Sequence, residues 1–91
     1  MRETSVCPIS TSIISATGSS SRVALPAQSV RIHCTGDTFI KFGDSNVVAT
    51  TADCPLSLLE PEYFNTENTG YTHIAAITAT GSSTVSVSGC K

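Results

Sequence analysis

Residues 29–48, SVRIHCTGDTFIKFGDSNVV, decide the fold class of this chain. Val30, Ile32 and Cys34 alternate with Arg31, His33 and Thr35. One side of that run is apolar and the other polar, the period-two mark of a half-buried strand. Gly36-Asp37 interrupts the pattern, Thr38–Phe42 starts a second run, and Gly43-Asp44 interrupts that one. Two strands across a tight Gly-Asp break predict a β-hairpin.

The same period recurs outward from this stretch. Arg22–Leu25 reads as a short strand stopped by Pro26, and Asn46–Thr51 as another, with Val47, Val48 and Ala49 compatible with burial. The segment 53–72 loses the pattern. Pro55 and Pro61 limit any helix around Leu56–Leu59 to one turn. Tyr63-Phe64-Asn65 reads as a brief strand and Asn68-Thr69-Gly70 as a turn. His73–Thr80 and Ser83–Ser88 then predict a second hairpin around Gly81-Ser82. Seven or eight short strands with regular turns, and no sustained helical period, predict an all-β antiparallel sandwich or jelly-roll-like barrel.

The N-terminal part is less patterned. Thr4–Ile14 has room for one or two short strands, with Val6, Ile9, Ile13 and Ile14 as the apolar points and Pro8 favouring an edge or bend. Thr17–Ser21 reads as a flexible joint. We therefore divide the chain into an N-terminal arm and hinge over 1–21 and a β-sandwich domain over 22–91. Such an arm can lie on its own domain or on a neighbouring copy.

Composition narrows the function. Ninety-one residues make one small domain of formal net charge -2, with 13% charged residues. The five Lys and Arg do not cluster, which argues against a nucleic-acid partner. No apolar run is long enough for a membrane span or a secretory leader, so we expect folding in a cytoplasm. Polarity comes from hydroxyls: 14 Ser and 13 Thr. A hydroxyl-rich surface with few charges offers little repulsion between copies and suits packing against neighbours.

Residues with chemical potential do not form a recognisable constellation. Cys7, Cys34, Cys54 and Cys90 contain no CxxC pair, so no zinc ribbon or thioredoxin-type site is expected. Reduced thiols are the default, and a Cys7–Cys90 bridge, which would staple the two ends, is the alternative. His33 and Cys34 are adjacent in a strand, point to opposite faces and cannot act as a nucleophile–base pair. His73 lies in another strand. Glu60, Glu62 and Glu67 read as a solvated acidic loop, and Asp37 and Asp44 as turn residues. No catalytic residue, metal site or cofactor is expected. Phe42 and Phe64 read as core, whereas Tyr63 and Tyr71 are candidate contact residues.

The order Arg22-Val23-Ala24-Leu25-Pro26, Val30-Arg31-Ile32, Thr38-Phe39-Ile40-Lys41-Phe42-Gly43, a proline-bearing loop, Thr72-His73-Ile74-Ala75-Ala76-Ile77 and Thr84-Val85-Ser86-Val87-Ser88 resembles small β-rich virion proteins of tailed bacteriophages, over about residues 22–90. The four cysteines depart from that pattern. The resemblance implies a capsid decoration (cement) protein that binds the major capsid protein, self-associates on the virion surface and has no catalytic activity. Val6, Ile9, Ile13, Ile14, Tyr63 and Tyr71 are then the expected intersubunit contacts. Removing residues 1–16 is expected to weaken capsid binding and leave the domain folded. A head–tail joining or fibre-base component and a carbohydrate-binding β-module using Tyr63 and Tyr71 are the alternative readings.

Overall fold

The computed structural model describes residues 11–56 and 61–90. Eight strands and no helix are present among them: β1 (Thr11–Ala16), β2 (Ser21–Ala24), β3 (Ser29–Cys34), β4 (Phe39–Gly43), β5 (Cys54–Pro55), β6 (Glu62–Asn65), β7 (His73–Ile77) and β8 (Ser83–Cys90). They form two four-stranded antiparallel sheets, ordered β1-β8-β3-β6 and β2-β7-β4-β5. This strand order makes an eight-stranded jelly roll, the double-sheet solution to an all-β chain. The expected all-β sandwich is what forms.

Neither expected hairpin forms. β3 lies in the first sheet, paired with β8 and β6, while β4 lies in the second, paired with β7 and β5. β7 and β8 are likewise split between the sheets. Every connection between consecutive described strands crosses from one sheet to the other, except β4–β5. The reason the alternation misleads is geometric. A hairpin keeps both apolar faces on one side of one sheet, and a crossing arch turns them toward each other across the core. Both leave the same period-two pattern in the sequence.

The core lies between the sheets. Ile14, Ala16, Val30, Ile32, Cys34, Val85 and Val87 fill it from the first sheet, and Ile40, Ile74 and Ala76 from the second. Register explains the layering, since Ile14 faces Val85, and Ile32 faces Val87. Val23, Leu25, Phe42 and Phe64 pack around its margin.

The crossing links must carry their backbone polar groups past the ends of the core, where unpaired groups are costly. Buried hydroxyls satisfy them. At one end Ser83 Oγ accepts from Gly36 N at 3.0 Å, and Thr38 Oγ1 lies 2.9 Å from both Gly36 O and Ser83 Oγ. Thr78 N donates to Thr17 O at 2.8 Å, and Thr78 Oγ1 to Gly81 O at 3.0 Å. At the other end Thr66 donates to Gln28 O through both its N–H (2.7 Å) and its hydroxyl (3.0 Å). The segment 17–21 is thus tied down, with Ser20 Oγ also accepting from Ala49 N at 2.9 Å.

Two further expectations shift. Thr11–Ala16, assigned to the arm from sequence, is an edge strand of the first sheet, paired with β8 from Thr11↔Ser88 to Ala16↔Ser83. Residues 1–10, with Val6 and Ile9, lie outside the described residues. Asn46–Thr51 forms no strand. It runs as a strap over the outer face of the second sheet, where Val47 and Ala49 bury against Ala75 and Ile77. Its alternation is real, but the face it covers has no free edge there to pair with. Gly43 permits the strap to fold back, because a Cβ at that position would sit 2.8 Å from Val47 Cγ2 and 2.9 Å from Val47 Cβ.

Three stability outcomes are expected. Ser83→Ala should lower stability by about 1–3 kcal/mol in urea titrations, since it strips the acceptor from Gly36 N–H and a partner from Thr38. Gly43→Ala should cost about 1–3 kcal/mol by overpacking, and Val47→Ala in the same chain should cost less than the two single changes summed. Deleting residues 1–16 should abolish the dispersed amide spectrum of the folded protein, because the loss exceeds the about 2–5 kcal/mol of truncating Ile14 alone.

Candidate functional site

The residues singled out for chemistry are dispersed. His33 sits half-buried on the outer face of β3, and Cys34 on its inner face is completely buried, so the two point apart as expected. His73 begins β7 in the other sheet, where its Nδ1 lies 2.8 Å from Thr72 Oγ1. Among the described residues no group of three His, Cys, Asp or Glu could hold a metal ion. Cys34 and Cys54 stay as thiols, the default from sequence, whereas Cys90 is disulfide-bonded, as the alternative allowed. Cys7 lies outside the described residues.

The acidic loop is also rearranged. Glu62 belongs to β6 and pairs in register with Ile32. Glu67 is exposed in the following turn, its N–H donating to Asn65 Oδ1 at 2.8 Å. Glu60 is outside the described residues. Asp44 does serve its turn, accepting from Asn46 N at 2.8 Å.

The expected contact residues separate into three groups. Ile14 is 2% exposed and belongs to the protein's own core, so it is no intersubunit contact. Alternation along an edge strand puts its neighbour outside: Ile13 is 52% exposed. Among the described residues Tyr63, on β6, is the most exposed large hydrophobic residue, and it falls on the same outer face as Ile13 by its register with Arg31. Across this face the register aligns Ile13 with Ser86 and His33, and Thr11 with Ser88, Arg31 and Tyr63. Arg31 is the one charged side chain that the described strands place there.

Tyr71 belongs elsewhere. Its ring stacks on Phe42 with centroids 6.3 Å apart and planes 12° apart, and Phe42 in turn packs on Phe64 at 5.3 Å. Phe42 and Phe64 are half-buried against the core, the role the sequence assigns them. Tyr71 lines two clefts, of about 530 and 350 Å³, that share Lys41 and Phe42. Tyr63 lines a smaller one, of about 180 Å³, with Ser29, Val30, Phe64, Asn65 and Cys90. The two tyrosines therefore do not form one platform. The signal for the Tyr71 clefts was present in the sequence only as a turn next to an aromatic residue, since the strap that walls one of them was read as a strand.

Among the described residues no helix is long and apolar enough to cross a membrane. A scan against protein-family models, a search of curated proteins and a search of solved structures found no match to this chain.

Proposed function

We propose that this chain is a structural, non-catalytic virion protein that binds the outside of a tailed-phage capsid and stabilises contacts between capsomers, working as a homo-oligomer on the major capsid protein. The observation that carries this reading is the outer face of the first sheet. It presents Ile13 and Tyr63 with exposed Thr11, Ser15 and Thr84, Ser88 between them being buried, and with half-buried Arg31 as the charged group of its described strands. A face so poor in charge lets many copies sit side by side with little repulsion. Modest contacts of this kind add up when a shell repeats the same site many times.

Three further points support the reading. The strand segments resemble those of small β-rich phage virion proteins. The jelly roll recurs in viral capsid domains, though a fold of this kind hosts many roles. A disulfide at Cys90 would persist on the exposed surface of a particle, where surroundings are oxidising. A head–tail joining or fibre-base role uses the same face in a ring of copies.

Quantitative mass spectrometry of purified particles of the virus whose genome encodes this chain tests the proposal. A copy number comparable with that of the major capsid protein is expected. A ring-sized number moves the protein to the neck or fibre base, and absence from particles overturns the virion role. In capsid co-sedimentation, Ile13→Lys should weaken binding by at least roughly tenfold, the effect of a charge placed in a contact core.

A further inference from the structure

We infer that the groove over Tyr71, on the sheet opposite the proposed shell-binding face, is a binding site for a neutral saccharide. Two clefts meet there on either side of the Tyr71–Phe42 stack, one walled by the strap and the other by Asp53 and Cys54. Tyr71 is 47% exposed, yet it is held from several sides. Its N–H donates to Thr69 Oγ1 at 3.1 Å, and Thr69 Oγ1 donates to Thr66 O. The next residue is tied to β4 through Thr72 N and Gly43 O at 2.9 Å. The turn reaches this shape through positive φ at Asn68 (66°) and Gly70 (79°). With Phe42 stacked behind it, the ring is positioned before any ligand arrives, which lowers the ordering cost of binding.

The groups beside the ring select the ligand. Lys41, Asp44 and Asn46 line one cleft, and Lys41 and Asp53 line the other. Both carboxylates are fixed by their own turns: Asp44 Oδ1 accepts from Asn46 N at 2.8 Å, and Asp53 Oδ2 from Thr50 N at 2.7 Å. A carboxylate has room for about four hydrogen bonds, so each retains acceptor capacity. One ammonium against two carboxylates gives no cationic field to recruit phosphate or sulfate. Protein–protein interface cores are depleted in Lys and Asp, so this wall is a poor match for a protein partner. An aromatic face flanked by fixed acceptors and donors matches a sugar ring, which offers C–H groups on one face and hydroxyls at its rim.

The test is amide NMR of the full chain titrated with neutral tetrasaccharides built from glucose, mannose, galactose or N-acetylglucosamine. Saturable shifts centred on Lys41, Asp44 and Tyr71 are expected with at least one of them. Tyr71→Ala should lower that affinity by roughly tenfold through loss of the stacking ring, with Tyr63→Ala changing it less than about twofold. Asp53→Asn, an independent change away from the ring, should weaken it several-fold. No saturable shift from any of the sugars, shifts centred on Tyr63, or an affinity indifferent to Tyr71→Ala would each overturn the site. So would loss of capsid binding in Tyr71→Ala without any sugar response, which would make the groove a protein contact.

Discussion

The structure depends on buried hydroxyls at the points where the chain crosses between sheets. Thr38, Thr66, Thr78 and Ser83 are at most 5% exposed, and each hydrogen-bonds within or between crossing links. An arch without such partners would bury bare N–H and C=O groups at a cost of about 1–3 kcal/mol each. A domain of this size buries only roughly 60–65% of its unfolded surface and has little stability to spare. The hydroxyls therefore allow the alternating path to be the native one, and the two-sheet core follows from that path.

This arrangement leaves the two outer faces unlike each other. The strap 46–51 closes over the second sheet, and Val47 and Ala49 add a second small core beneath it with Ala75. The first sheet keeps Ile13, Tyr63 and a set of hydroxyls on its described outer face. One chain thus carries a charge-poor face suited to a repeated partner and, on the other sheet, a groove built around one positioned tyrosine. The strap and the turn 66–71 that form the groove are also what hold the end of β4 in place, so its geometry is a by-product of the fold's own constraints.

Much of the strand content was legible because burial alternates along each strand. β3 alternates half-buried and buried throughout, and Val85 and Val87 alternate with Thr84 and Ser86 in β8. The brief strand at Tyr63–Asn65, the turn at Asn68–Gly70 and the core roles of Phe42 and Phe64 were read from the same local rules. Ile14 was misplaced because Pro8 and the hinge-like Thr17–Ser21 made its segment look detachable. The strap was misread because Val47 and Ala49 alternate with Val48 as strand residues do, while the hydrogen bonds that would make a strand depend on a neighbour. Part of the hydroxyl-rich composition that suggests a surface is buried at the sheet crossings, at Thr38, Thr66, Thr78 and Ser83.

By itself the sequence determined most of the inward-facing strand residues and the all-β class of the described residues. These properties are local, since side chains alternate along any extended backbone. The tertiary structure decided which strands pair, that Gly36-Asp37 and Gly81-Ser82 open arches instead of hairpins, and that Tyr71 and Tyr63 belong to different surfaces. Pairing joins residues as distant as Thr11 and Ser88, and the bend at Gly36 is satisfied by a hydroxyl from the far strand β8, while Thr78, before the bend at Gly81, is tied to the backbone of Thr17. No local pattern encodes that partner, because it exists only once both sheets have closed on the core.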